Sequence, residues 1–408
     1  MRKILVIILM QFIVINSITT PLGAVTVDAL RPLSSELSKN DFKENELTAK
    51  VISEEVLPAV RKMAKAAGEI MLSYKGKLDS LRKEMKSDKT IVTEVDTKIQ
   101  EMVIQEIRSL FPTHYIVGEE EMSGIKLDKS SRYTWTIDPL DGTKEFVKDG
   151  SHYGFSICLM DEGSPILSIF YAPEYRIDGE HEYSLFEACE GIEGAYLNGK
   201  KITISKSTDF KNKKCLVVGS AAYGILGFEH KLRSLFGGGD SDCRSTTLEI
   251  CRVACGGTYG EPIFFAKAII CDMHDVMPGI YIAEKAKAIN VDFKGSNLLP
   301  VDKTRLRGES PRFHTVMVGS EETIKHVLPA SSELYVPDMH DALRKDPTIK
   351  FLKEYTGLEN LLDNPVLHKE YLKWLGNGKI TGPQKKAIEN SYQSRFNLQL
   401  LNAIGAAA

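Results

Sequence analysis

Residues 135 to 146 read Trp-Thr-Ile-Asp-Pro-Leu-Asp-Gly-Thr-Lys-Glu-Phe, and no other stretch so narrows what this chain can become. The apolar run Trp135-Thr136-Ile137 predicts a buried strand, which delivers Asp138 and Asp141 onto a turn set by the Pro139 ring. Gly142 and Thr143 follow with backbone N–H groups placed to open a helix, a seat for a phosphate oxygen. Two hard carboxylates beside such a nest suit the joint binding of Mg²⁺ and a phosphate ester. An acidic turn that merely caps a helix is the plainer alternative. Asp138, however, directly follows an apolar strand rather than a solvated loop.

The surrounding periodicities predict an α+β / α/β chain. Val56, Val60, Met63, Ala66 and Ile70 recur at helical spacing within 51–74. A second helix is expected from about Thr97 to Leu110, stopping at Phe111-Pro112. Short apolar runs then predict strands at Tyr115–Val117, Tyr133–Ile137, Gly154–Met160, Ile166–Tyr171, Tyr183–Glu187, Ala195–Leu197 and Ile202–Ser205. Asn198-Gly199 is a strong hairpin signal. From Lys214 a second texture predicts a strand at Cys215–Ser220, helices at Phe228–Phe236, Thr246–Cys255 and 275–288, and a strand at Thr315–Gly319. Gly237-Gly238-Gly239 reads as a loop. The expected organisation is an N-terminal α+β metal-binding half over 51–212 and an α/β half over 213–329, with the cleft between them. Residues 330–408 read as a helical extension that carries no chemistry of its own.

The start of the chain reads as an address. Arg2-Lys3 precedes an apolar run from Ile4 to Ile15 and a candidate cleavage site near Ala24, a signal-peptide pattern over 1–24. The run is shorter than the ~20 residues of a membrane span. An uncleaved membrane anchor, and with it membrane association through the N-terminus, is the alternative. Residues 25–50 are polar and without period, a linker. Export or membrane attachment, on the periplasmic side, is therefore expected ahead of a cytoplasmic location. Seven cysteines, at 158, 189, 215, 243, 251, 255 and 271, form no disulfide or zinc framework and read as buried thiols. A net charge of −3 gives no reason to expect a nucleic-acid polymer as partner. A small phosphorylated metabolite would have to be held by local groups and metal.

Asp-Pro-Leu-Asp-Gly-Thr at 138–143 is similar to the metal-binding signature of the lithium-sensitive, Mg²⁺-dependent phosphatases related to inositol monophosphatase. Lys144-Glu145-Phe146 most resembles their 3′(2′),5′-bisphosphate nucleotidase (CysQ) branch. The resemblance runs loosely from Val51 to Pro329 and implies a layered αβαβα sandwich of the sugar-phosphatase type. It maps Gly118-Glu119-Glu120 onto a motif whose first glutamate is a metal ligand. It pairs Asp96, in a Lys-x-Asp-x-Thr-x-Val-Thr-x-x-Asp segment, with Thr143; capping the second helix is the other reading of Asp96. His274-Asp275 stands where the family has Trp-Asp, so Asp275 becomes the last ligand, with Asp272 as its rival. Thr246 and Thr247 match a segment near the substrate, although Ser245 replaces the expected glycine; Gly219 and Ser220 lie where the family reaches toward the sugar or nucleoside.

The resemblance thus implies metal-activated water attacking a phosphomonoester with no covalent enzyme intermediate. Glu119, Asp138, the Leu140 carbonyl, Asp141 and Asp275 would hold two or three Mg²⁺. Gly142 and Thr143 would grip the phosphate, while Asp96 and Thr143 aim the nucleophile. The expected substrate is a 3′(2′),5′-bisphosphate nucleotide such as 3′-phosphoadenosine 5′-phosphate. The alternatives are an inositol monophosphatase or related sugar-phosphate phosphatase, and a catalytically inactive binding or scaffold protein. Oligomeric state is not legible in the sequence.

Overall fold

The computed structural model describes residues 47–85, 91–120, 131–219, 228–240, 244–260, 262–268, 271–302, 312–313 and 315–334. The expected signal peptide, the linker up to residue 46, Ser220, Cys243 and the extension beyond residue 334 lie outside the described residues. Among the described residues, no helix is long and apolar enough to cross a membrane.

The first helix begins earlier than its periodicity suggests. A turn at Ala49–Val51, capped by Thr48, and a π-helical turn at Ile52–Val56 lead into α1, Leu57–Lys75. Val60, Met63, Ala64, Ala67 and Met71 form its buried face. A Cβ at Gly68 would stand 2.3 Å from the Tyr171 ring, so only glycine lets this helix sit so close to the sheet beneath. A small ladder of β1 (Lys83–Met85) and β2 (Ile91–Thr93) precedes α2, Glu94–Leu110. α2 starts three residues before the expected Thr97, because Thr93 caps it with its side chain.

The main sheet follows from β3 (Tyr115–Gly118), β4 (Tyr133–Asp141), the short α3 (Thr143–Val147), β5 (Gly154–Asp161), β6 (Ser164–Ala172), β7 (Ser184–Cys189), β8 (Ala195–Leu197) and β9 (Lys200–Ile202). Its strands lie in sequence order. β3 and β4 run parallel, and every later pair is antiparallel. β4 corrects the sequence expectation. It is nine residues long and buried throughout, and Asp138 to Asp141 occupy a register shift inside it rather than a turn after it. Trp135 is fully buried in β4, and its indole N–H donates to His114 Nδ1 at 3.0 Å. Asn198 and Gly199, with φ of 50° and 79°, make the expected two-residue hairpin between β8 and β9.

The second sheet draws on β10 (Cys215–Gly219), α4 (Phe228–Arg233), β11 (Gly239–Asp240), α5 (Thr246–Ala254), α6 (Gly256–Tyr259), β12 (Phe264–Ala268), β13 (Cys271–Asp272), α7 (Met273–Lys285), β14 (Ile289–Val291), β15 (Arg312–Phe313), β16 (Val316–Gly319) and α8 (Glu321–Leu334). Its order is β11-β10-β12-β16-β14, while β13 pairs with β15 separately. The central β12 has no counterpart in the sequence reading, and Gly239, expected in a loop, pairs with Cys215. Six cysteines, 158, 189, 215, 251, 255 and 271, are buried free thiols.

The layers stack as α1 and α2, the main sheet, α5 and α7, the second sheet, then α4 and α8. This is the expected αβαβα sandwich. The core lies where α5 and α7 fill the space between the sheets, with Phe170, Phe186, Leu248, Ile250, Phe265, Val276 and Ile280 all buried. Each such aromatic or branched side chain contributes about 1.5–3 kcal/mol on burial. Gly279 faces Ile250, whose Cβ would be 3.0 Å from a side chain there, so the two middle helices pack closely. The middle layer therefore presents the N-termini of α5 and α7 to the irregular end of β4.

Candidate metal centre

The site is built where β4 loses its register. Asp138 Oδ1 accepts the Leu140 N–H at 3.0 Å, which curls the chain and turns the Leu140 carbonyl toward Thr143. Gly142 then adopts φ 94°, a left-handed conformation, as the N-cap of α3. A Cβ at this position would lie 2.5 Å from the His152 carbonyl oxygen, so the turn demands glycine for space as well as for φ. As N-cap and first residue of α3, Gly142 and Thr143 carry amides with no acceptor inside the helix. Two residues of the Lys-Glu-Phe continuation pack at this turn. Phe146 is fully buried against Tyr153, and the Glu145 carboxylate lies against Gly150.

Two helix N-termini bring further carboxylates, and Asp141 holds a third. Asp96 is the third residue of α2, where its Oδ2 accepts from the Thr93 N–H at 2.8 Å and the Thr93 hydroxyl at 2.5 Å. Its Oδ1 faces the Thr143 hydroxyl at 3.1 Å. The capping and Thr143-pairing readings of Asp96 are therefore one arrangement, with one carboxylate oxygen for each. Asp275 is the third residue of α7, accepting the Asp272 N–H at 2.9 Å in a reciprocal box. Asp141 holds the start of α5. It accepts from the Ser245 hydroxyl at 2.7 Å, the Thr246 N–H at 3.1 Å and the Thr247 N–H at 2.7 Å. Ser245 in place of glycine thus supplies a hydroxyl that binds Asp141 and also accepts the Leu248 N–H.

Like charges accumulate here with little solvent. Asp138 is 2% exposed, and burial raises its carboxyl well above the usual carboxylate range. The charges of Glu119, Asp141 and Asp275, and a hydrogen bond with Glu119, push it up further. Burial raises Asp141 to about 6 against the opposing pull of the Ser245 hydroxyl; Asp275 adds to the rise, while the Thr247 amide and Lys267 oppose it. Asp96 is raised to about 7, by burial first and then by Glu119 and Glu120, against its Thr93 bonds. Asp96, Glu119 and Glu120 form one set of potential ligand atoms within 4.8 Å of one another, and Asp272, His274 and Asp275 form a second. Asp138 links the two sets, being bonded to Glu119 and acted on by Asp275.

Buried carboxylates that raise one another's proton affinity fit a divalent cation, which neutralises them together. The donors are hard oxygens, the preference of Mg²⁺. Of the expected residues, Asp96, Glu119, Asp138, Leu140, Asp141, Gly142, Thr143 and Asp275 meet at this centre. Thr246 and Thr247 also meet here, but their groups are engaged by the protein itself. Both amides serve Asp141, the Thr247 hydroxyl donates to the Asp275 carbonyl at 2.9 Å, and the Thr246 hydroxyl accepts from Lys267 Nζ at 2.5 Å. Gly219 ends β10, paired with Ala268.

His274, in the tryptophan's place, is buried, and its Nδ1 has no hydrogen-bond partner among the described residues. Its carbonyl loses its usual helical donor because Pro278 has no N–H; the Ser156 hydroxyl lies 3.5 Å away. Sequence reasoning missed Lys267. The available signal was one charged residue inside the apolar run Phe264-Phe265-Ala266-Lys267-Ala268.

The model of the inositol monophosphatase family matches residues 52–326. The Nus factor SuhB of Xylella fastidiosa is 29% identical over 275 residues, covering 64% of this chain and 90% of that protein. Inositol monophosphatase 3 of Solanum lycopersicum is 32% identical over 214 residues, covering 50% and 74%. Among solved structures, an IMPase of Thermotoga maritima shares the fold with a TM-score of 0.56 at 23% identity, over 69% of this chain and 98% of that one. The SuhB protein of Bartonella henselae gives 0.54 at 21%, over 66% and 96%. Fold, carboxylate cluster and family match converge: this chain belongs to the inositol monophosphatase family.

Proposed function

We propose that the protein is a Mg²⁺-dependent phosphomonoesterase, and that its substrate is a 3′(2′),5′-bisphosphate nucleotide such as 3′-phosphoadenosine 5′-phosphate. The observation that carries the chemistry is the buried Asp138, which shares its surroundings with Glu119, Asp141 and Asp275 beside the Asp96–Thr143 pair. In this reading Glu119, Asp138 and the Leu140 carbonyl hold one cation, and Asp138, Asp141 and Asp275 hold another, with two or three ions in all. Cations held there would supply Lewis acidity, lowering the pKa of a bound water and offsetting the negative charge of the ester.

The chain's own groups do the rest. Thr143 has one hydroxyl proton and two acceptors in reach, Leu140 O at 2.9 Å and Asp96 Oδ1 at 3.1 Å. Giving the proton to Asp96 leaves the threonine oxygen to accept from, and so orient, the attacking water. It also frees the Leu140 carbonyl to act as a neutral oxygen ligand. The Gly142 and Thr143 amides receive the phosphate oxygens. Ser245, Thr246 and Thr247 act as positioning residues by holding Asp141 in place.

Lys144-Glu145-Phe146 favours the bisphosphate nucleotide. The name of the Solanum lycopersicum relative, an inositol monophosphatase, favours inositol monophosphate as the second reading. Phosphate release from 3′-phosphoadenosine 5′-phosphate and inositol 1-phosphate, measured side by side across a Mg²⁺ titration, tests both. Higher kcat/KM for the nucleotide supports the first reading, and the reverse supports the second. Release that is absent from both, or indifferent to Mg²⁺, removes the enzymatic reading and leaves a binding protein. Export with cleavage near Ala24 belongs to the same proposal and is tested by N-terminal sequencing of the mature protein.

A further inference from the structure

Beside the carboxylates stands a cation that the chemistry above does not use. Arg244 immediately precedes Ser245, and its carbonyl, with that of His152, closes around Gly142. A Cβ at 142 would lie 3.1 Å from Arg244 O and 2.5 Å from His152 O. The two side chains also meet, with Arg244 Nη1 3.2 Å from His152 Nε2. A guanidinium only donates, so Nε2 is the acceptor in this contact. The His152 ring stands edge-on to Tyr175, with centroids 4.7 Å apart. Arg244 Nη2 lies 3.8 Å from Asp240, and the side chain is 30% exposed. Burial raises the Glu249 carboxyl, and the charges of Arg252 and then Arg244 oppose that rise.

The segment that presents His152 is held firmly. Lys75 Nζ donates to Gly150 O at 2.8 Å and pairs with Asp149 at 2.9 Å and Glu174 at 3.2 Å. The Tyr153 hydroxyl donates to Glu174 at 2.6 Å. Such anchoring lowers the ordering cost of any ligand bound there.

A fixed cation cannot ligate metal, and placed beside a site for divalent cations it is repelled by them unless an anion comes between. Its five N–H donors form the fork that matches phosphate oxygens. We propose that Arg244, with His152 at its side, is a specificity-determining subsite for a second phosphoryl group on the substrate. This inference rests on the phosphomonoesterase reading of the same site, and it would give the bisphosphate preference a physical basis.

The test uses the full-length protein with Arg244→Ala, Arg244→Lys and His152→Ala. Two ligands are compared, adenosine 3′,5′-bisphosphate and adenosine 3′-monophosphate. Binding is measured by calorimetry with Ca²⁺ replacing Mg²⁺, and initial rates are measured with Mg²⁺. Arg244→Ala should weaken bisphosphate binding by about ten- to a hundredfold and raise its KM alike, with kcat held. The monophosphate should change by less than about twofold, since it has nothing for the arginine to bind. Arg244→Lys should recover part of the loss and His152→Ala should lose less than Arg244→Ala, because charge persists while the fork or its support is altered. Equal loss for both ligands, or no loss for either, overturns the subsite. Discrimination in binding without any turnover would retain the subsite and sink the phosphatase reading instead.

Discussion

Asp138 spends its folded life where a carboxylate is least at home, buried and surrounded by the charges of Glu119, Asp141 and Asp275. Each neighbour makes ionisation harder, so without cations the cluster is a source of instability rather than of strength. Asp138→Asn keeps an oxygen for the Leu140 N–H while removing one of the crowded charges. The metal-free variant should melt higher than the metal-free wild type, by about 2–4 °C for each kcal/mol of repulsion relieved. It should also lose the upward shift that Mg²⁺ gives the wild type, and nearly all turnover. Calorimetry with and without EDTA checks this. A variant that melts lower in EDTA would mean that the like charges are not in conflict. The same crowding was readable in part from Asp-Pro-Leu-Asp, but the sequence placed both residues on a turn. The shifted register of β4, which buries them, depends on pairing with β5.

At the scale of elements, the carboxylates are gathered at the first turns of helices. α2, α5 and α7 each start at a carboxylate of the cluster, so partial positive charge at three N-termini faces the same region. The reciprocal boxes of Thr93 with Asp96 and Asp272 with Asp275 tie helix registration to carboxylate position. Ser245 does both jobs for α5, since its hydroxyl caps the helix and binds Asp141. Ser245→Ala should therefore cost about 1 kcal/mol of stability. It should also weaken Mg²⁺ binding measured by calorimetry, because Asp141 loses one of its three donors. A loss of stability with unchanged metal affinity would separate the two jobs and refute the coupling. Helix existence was legible from apolar spacing, whereas the start of α2 depended on noticing Thr93 three residues ahead of Asp96.

The whole molecule should show the cluster in its pH response. Asp96 and Glu249 are raised to about 7 and Asp141 to about 6, chiefly by burial. A carboxyl whose folded value lies above its unfolded value of ~4 keeps a proton that the unfolded chain releases. Stability therefore falls as pH rises from about 4 to about 7 and levels off beyond. Buried His114, lowered to about 4, acts in the opposite sense below its unfolded value of ~6.5, but it is one group against several. Metal-free protein should melt higher at pH 6 than at pH 8, and Mg²⁺ should stabilise more at pH 8. A flat or reversed profile in EDTA would contradict the burial of these acids.

The sequence alone determined the glycine that closes the Asp-Pro-Leu-Asp signature, the hairpin at Asn198-Gly199 and most of the order of helices and strands. These depend on neighbours within a few residues, where backbone sterics and side-chain period act directly. Tertiary structure decided what those residues meet: Asp96 with Thr143, Asp141 with the start of α5, Lys267 with Thr246, and Arg244 with His152. Such pairings join segments up to about a hundred residues apart. Their partners are selected by packing of the layers rather than by any local pattern, so burial and electrostatics at the site exist only once the sandwich has closed.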